Sequence, residues 1–261
     1  MTVRIHPLAL VEPGAELGEG VEVGPFCVVE SGARIGDRCL LRSHVVVAGS
    51  AELGSDNEVY PHTTLGLAPQ DLKYKGEPTR FVLGDRNVVR ENCTLHRGTG
   101  EGGGISTVGS GNLLQVGAHV AHDCLVGNDN VLGHQSSLAG HVTVGNGCIV
   151  GAYSAVHQFC RVGDHAFMGG FTVATLDVLP FMRTVGTRDV KSYGVNAVGL
   201  KRRGFTDATI EALKKAHQIL FQAGHPRDQG LELAERAYGQ VPEVAALLAF
   251  IRESPRGVHR G

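Results

Sequence analysis

Leucine, isoleucine or valine recurs every six residues from Ile5 through Val11, Leu17, Val23, Val29 and Ile35 to Leu65. The spacing returns at Leu83, Val89 and Leu95, then runs from Val108 to Val162 before fading at Met168 and Ala174. Gly often follows the aliphatic position, as at Gly18, Gly36, Gly127 and Gly145, and the fourth residue after it is usually small, as at Ala33, Ala118 and Ser136. A strict period of six fits neither the 3.6 of a helix nor the 2 of an alternating strand. It is the hexapeptide signature of a parallel β-helix. Each hexapeptide forms one side of a triangular coil, and aliphatic and small positions point inward. Successive coils then bond edge to edge about 4.8 Å apart.

Two segments break the period. Residues 67–81 (LAPQDLKYKGEPTRF) carry two prolines and several charges, and residues 100–107 (GEGGGIST) are Gly-rich and shift the phase by one. Both are predicted to project from the prism as loops on a rigid scaffold. Residues 1–185 are therefore assigned to the β-helix, an all-β main domain. Beyond them the spacing turns helical. Thr206 or Asp207 caps a helix reaching Phe221, with Ile210, Leu213, His217 and Leu220 on one face and Gly224 as a stop. Asp228–Tyr238 and Pro242–Arg252 read as two more helices. Residues 186–261 are thus expected to form a small C-terminal α-helical domain that caps the last coil and covers its strand edges.

Composition narrows this picture. The 261 residues include 37 Gly, no Trp and only nine Phe and five Tyr, which suits many tight turns around a narrow aliphatic core. A net charge of −2 excludes nucleic-acid binding through bulk basicity. No apolar run approaches the ~20 residues of a membrane span, and the N-terminus lacks the apolar core of a signal peptide, so a cytoplasmic protein is expected. Cys27, Cys39, Cys93, Cys124, Cys148 and Cys160 all fall on the small inward position. They read as buried hydrophobes of a reducing compartment, not as disulfides or nucleophiles.

Between Val108 and Ala174, residues one coil apart share a column. His122, Gly140 and Gln158 stack in this way, Asp123 lies beneath His141, His157 flanks Gln158, and His119 precedes His122 by one short stretch. None sits on an inward phase, so all are predicted to face outward. His6, His44, His62 and His165 read as solvated. Two chemistries compete at the column. Neighbouring imidazoles suit a zinc hydrolyase, although no outward Cys or Glu completes a ligand set. Alternatively His122 removes a hydroxyl proton, Asp123 orients it, and the Gly140 N–H meets a developing oxyanion. The base is the preferred reading, with no metal and no cofactor. Lys201-Arg202-Arg203 suits phosphates or an acidic carrier protein.

The segments QDLKYKGEPTR, HRGT, AHVAHDC, LAGHV, AVHQFC and GLKRRGF, in this order, resemble the UDP-N-acetylglucosamine O-acyltransferase family over nearly the whole chain. The resemblance implies a cytoplasmic homotrimer of left-handed β-helices with active sites between subunits. It also implies transfer of an (R)-3-hydroxyacyl group from acyl carrier protein to the glucosamine 3-hydroxyl of UDP-N-acetylglucosamine, in lipid A biosynthesis. His122 then corresponds to the general base with Asp123 beside it, Gly140 to the oxyanion donor, and His119, His141, His157 and Gln158 to substrate contacts. Asp71 and Lys73 correspond to sugar-nucleotide contacts of the neighbouring subunit. Asn196, Arg202 and Arg203 correspond to nucleotide and phosphate contacts, and Gly170 to the position that sets acyl-chain length. Val198 departs from the family pattern, where an acidic residue is expected, and Arg183–Ser192 does not match it closely. The repeat starts at Ile5, which predicts no preceding uridine-binding domain of the kind found in related glucosamine N-acyltransferases. The alternatives are a zinc lyase of the β-helical carbonic-anhydrase type, an acetyl-coenzyme A-dependent hexapeptide transferase and a non-catalytic scaffold.

Overall fold

A computed structural model describes residues 2–187 and 189–260 of the chain. Strands of mostly two residues stack into three parallel sheets, one per face of a left-handed β-helix. Register pairs each aliphatic position with its counterpart one coil on, as in Val120↔Leu138 and Leu138↔Val156. The two loops leave that stacking intact. Leu65 pairs with Leu95, thirty residues away, so the first loop adds two hexapeptides and keeps the phase. Leu83 pairs with Val108, seven residues more than a regular coil, which is why the phase slips by one there.

Strands reach further into the loops than the sequence suggests. Leu67 ends one strand and Arg80–Leu83 forms the next, with Phe81 fully buried against Ala51. Ile105–Val108 is likewise a strand. The irregular segments are thus 68–79 and 97–104. At the other end of the prism, Ile5 on the inward phase is about half exposed, because within the described residues no coil lies beneath it, and Leu10 is exposed because it sits on the outward phase.

One core runs along the prism axis from Val21 to Val178. All six cysteines lie in it, buried and unpaired. Burial raises their thiol pKa, to about 11 at Cys93 and about 12 at Cys124 and Cys148. The same inward phase also carries polar side chains, which aliphatic spacing does not reveal. The Asn57 side-chain oxygen accepts from the backbone and side-chain N–H groups of Asn87, and that of Asn87 accepts likewise from Asn112. Asn112 then accepts from the Asn130 N–H and Asn130 from the Cys148 N–H at 2.7 Å. These asparagines are buried, and each side-chain oxygen is paired across a coil, while the Asn130 side-chain nitrogen has no partner among the described residues.

Past Ala174 the architecture differs from a plain helical cap. Met182–Val185 pairs parallel with Phe167–Met168, and Lys191–Val195 returns antiparallel to it. A short helix, α1 (Ala197–Arg202), follows, then α2 (Asp207–Phe221), α3 (Arg227–Tyr238) and α4 (Pro242–Glu253). Thr206 caps α2 by accepting from the Thr209 N–H. The helices share a second core with Leu179, Phe181 and Met182. The last coil is met by extended chain: Asp177 N–H donates to the Gly257 carbonyl, and His259 N–H to the Asp177 carbonyl. A strand edge needs partners with free N–H and C=O groups, and a helix has already used its own. Within Arg183–Ser192, Arg188 lies outside the described residues.

The asparagine ladder makes a stability prediction. Asn87→Ala leaves the Asn57 oxygen its backbone donor but strands the buried backbone and side-chain N–H groups of Asn112, at about 1–3 kcal/mol for each unsatisfied group. Chemical denaturation should show that loss as a lowered midpoint relative to wild type.

Candidate active site

Turn residues at successive corners adopt the left-handed conformation: Asp123 (φ 58°), His141 (φ 62°) and Phe159 (φ 65°) lie one coil apart. Backbone bonds lock the column, His141 N–H donating to the His122 carbonyl and Phe159 N–H to the Gly140 carbonyl. The His141 ring consequently stacks on Phe159 at 4.5 Å and meets the edge of His122 at 5.2 Å.

His122 Nδ1 lies 2.8 Å from Asp123 Oδ2. An ionised carboxylate only accepts, so Nδ1 carries the proton and Nε2 holds the lone pair. Asp123 departs from expectation. Its side chain is 1% exposed, not outward in solvent, because the Gly-rich loop folds over it. Thr99 donates to it through both its backbone N–H and its hydroxyl, at 2.9 and 2.7 Å. A Cβ at Gly102 would overlap the carboxylate, so this loop position needs glycine. His141 Nε2 stands 3.7 Å from the same carboxylate. Ligand atoms of His122, Asp123 and His141 lie within 4.8 Å of one another, a spacing that could hold a metal ion. Both Asp123 oxygens, however, already accept hydrogen bonds.

Gly140 lies over His122, where a Cβ would come within 2.7 Å of Nε2. Only a residue without a side chain leaves that nitrogen open. His119 Nδ1 bonds the Thr94 hydroxyl at 2.7 Å, and its ring meets His96 at 5.1 Å. Burial depresses the pKa of both, with His122 adding to the effect, and His96 falls to about 4. The sequence reading gave His96 no role of its own. His157 and Gln158 are exposed and make no hydrogen bond to the His122–Asp123 pair. His157 Nδ1 instead faces the Gln158 carbonyl at 3.1 Å and the Arg256 guanidinium at 3.4 Å. Asp71 and Lys73 sit on the first loop, where the Lys73 ammonium pairs with Glu101 on the Gly-rich loop.

The basic cluster divides. Lys201 pairs with Asp207, Arg203 donates to the Asp129 carbonyl, and Arg202 lines a cavity of about 410 Å³ with Asn196, Val198, Phe167 and Arg183. No carboxylate lines that cavity. Arg183 was not found from sequence, since it falls in the poorly matching stretch. Gly170 is exposed, and a Cβ there would meet only the Ala152 carbonyl, at 3.3 Å. Among the described residues, no helix is long and apolar enough to cross a membrane.

A hexapeptide β-helix presenting a carboxylate-oriented imidazole, with every thiol turned inward, has the design of a hexapeptide-repeat acyltransferase. The comparisons narrow that class. A family profile described as Udp N-acetylglucosamine O-acyltransferase, Domain 2, matches residues 177–259. The UDP-N-acetylglucosamine O-acyltransferase of Moraxella catarrhalis is 39% identical over 98% of this chain and 99% of its own, with a TM-score of 0.95. The UDP-N-acetylglucosamine acyltransferase of Francisella novicida is 32% identical over 98% and 94%, also at 0.95, and that of Arabidopsis is 33% identical over 98% and 99%, at 0.85. The chain belongs to the UDP-N-acetylglucosamine O-acyltransferase family.

His96 carries a pH prediction. Its native pKa of about 4 lies below the ordinary 6.5, so the unfolded chain binds a proton that the native state excludes. That contribution is fully present above pH 6.5 and is lost as pH falls toward about 4. Denaturation midpoints of His96→Gln should therefore fall less steeply across this window than those of wild type.

Proposed function

We propose that this chain transfers an (R)-3-hydroxyacyl group from acyl carrier protein to the 3-hydroxyl of UDP-N-acetylglucosamine, at the first step of lipid A biosynthesis. The observation that carries the reading is the His122–Asp123 pair at 2.8 Å, on a chain 39% identical to a family member over nearly its full length. His122 Nε2 takes the proton of the sugar hydroxyl as its oxygen attacks the thioester carbon. The Gly140 N–H, which no backbone carbonyl accepts among the described residues, faces the developing oxyanion. Collapse breaks the C–S bond, and the imidazolium returns its proton to the departing thiol. Asp123 holds the imidazole in the tautomer that this sequence requires. The transfer is direct, with no acyl-enzyme.

His119, His141, His157 and Gln158 line the path of the acyl donor and sugar. Asn196, Arg202 and Arg203 take the nucleotide and its phosphates; the cavity between the last coils and α1 supports this for Asn196 and Arg202, which line it, and not for Arg203, which lies outside it. The exposed aromatics Phe159, stacked on His141, and Tyr153 and Phe171, stacked on each other at another corner of the prism, suit an interface between three copies of the chain. Asp71 and Lys73 on the projecting loop would then reach the neighbour's site. Six unpaired thiols fit the cytoplasm.

Transfer from (R)-3-hydroxyacyl carrier protein should fall about a hundredfold or more in His122→Ala with its fold intact. Unchanged turnover would move the base to another histidine, while stoichiometric zinc in active protein would favour the lyase reading. Equal use of acetyl-coenzyme A would point to a generic acetyltransferase. Gly170→Met should shift preference toward shorter acyl donors without unfolding the protein, and competing donors of graded length read this directly.

A further inference from the structure

The Gly-rich loop does more than project. Thr99 is 5% exposed and sends two donors to one carboxylate: its N–H to Asp123 Oδ1 at 2.9 Å and its hydroxyl to Oδ2 at 2.7 Å. Oδ2 also accepts from His122 Nδ1 at 2.8 Å. The hydroxyl has its own partner, since the Gly102 N–H donates to Thr99 Oγ1 at 3.1 Å. That bond leaves the hydroxyl hydrogen free to point only at Asp123. The N–H groups of Gly102 and Gly104 both donate to the Thr99 carbonyl, which closes the loop on itself. Behind the carboxylate, the Asp123 N–H donates to Ser106 Oγ at 2.7 Å. His141 Nε2 approaches Oδ2 to only 3.7 Å, beyond hydrogen-bond distance.

We infer that Thr99 is a positioning residue for the transfer reaction: through Asp123 it fixes the tautomer and direction of the His122 imidazole. The inference rests on the reading of His122 as the general base. Asp123 belongs to a left-handed turn that aims its side chain outward, and a lone exposed carboxylate there would rotate and divide its hydrogen bonds between water and both histidines. Two donors from one residue of a self-closed loop remove that freedom. They leave Oδ2 one strong place for an imidazole N–H, and His122 is the ring that occupies it. Thr99 never reaches the substrate in this arrangement, so its effect appears in the reactivity of His122 and not in substrate affinity.

The test compares Thr99→Val, Thr99→Ser and His122→Ala with wild type in the carrier-protein assay, with thermal unfolding as the fold control. Thr99→Val, which removes the hydroxyl donor to Asp123 and keeps the backbone one, should lower kcat about tenfold, the lower end of the losses seen when an outer partner of a functional histidine is removed. KM for the sugar nucleotide should change less than about twofold, and Thr99→Ser, which restores the hydroxyl, should recover most of kcat. The His122 Nδ1–H proton resonance, assigned by its absence in His122→Ala, should shift or broaden in Thr99→Val and return in Thr99→Ser. A folded Thr99→Val with wild-type kcat and an unmoved resonance would overturn the inference, as would a Thr99→Ser no better than Thr99→Val. The resonance reports on positioning whatever the base proves to be. Full turnover in His122→Ala would instead overturn the general-base reading, and the two failures stay separate.

Discussion

Main-chain pairing between rungs one coil apart is the constraint on which the molecule depends. Leu125 N–H donates to the Val142 carbonyl and Thr143 N–H to that of Cys160, and the same bond recurs along the prism. Because the rungs are parallel and in register, every side chain has its counterpart directly above and below. The pairing turns a period in sequence into columns in space: aliphatic residues on one inward phase, cysteine, alanine and asparagine on another, and left-handed turn residues outside. The active-site column is one such consequence. His122, Asp123 and His141 meet because the coil repeats, with no long-range packing needed to bring them together.

Periodicity also explains what the sequence discloses. Val120, Leu138 and Val156 announce a buried face by spacing alone, and Cys124 is assigned inward on phase although it adjoins the candidate carboxylate. The neighbourhood of His122 and His141 follows from the same count. The burial of Asp123 does not, because the residue that covers it lies in a segment without a period. Thr99 and Gly102 reach Asp123 through a loop whose length, seven residues beyond a regular coil, registers in the sequence only as a slipped phase. Asn57, Asn87, Asn112 and Asn130 stayed hidden for a different reason. They share the inward phase, but polar residues there look like exceptions until each side-chain oxygen is seen to accept from the next coil. The strand Lys191–Val195 and helix α1 are too short to show any periodicity.

The prism and its interruptions divide the work. Regular coils supply rigidity and a fixed spacing, and they can do little chemistry alone, since their inward residues are dry and their outward ones solvated. Each irregular segment changes the dielectric or charge of one place. The Gly-rich loop removes Asp123 from water, which strengthens its hold on His122. The first loop ties to it through Lys73 and Glu101. The turn from the last coil into α1 brings Arg183 and Arg202 to one cavity that no carboxylate lines.

The placement of the thiols bears on how acyl transfer proceeds at this face. A covalent route needs a nucleophile that can ionise and reach the donor carbonyl. Cys124 adjoins Asp123 in sequence, yet its thiol faces the core, bonds the Ala139 carbonyl at 3.1 Å, and has a pKa raised to about 12 by burial. The nearby hydroxyl of Thr99 is committed to Asp123. Gly140 lies directly over the His122 ring, where a Cβ would come within 2.7 Å of Nε2. Under the proposed mechanism, a base held by Asp123 beside thiols that are all turned inward favours the acceptor alcohol itself as the attacking group.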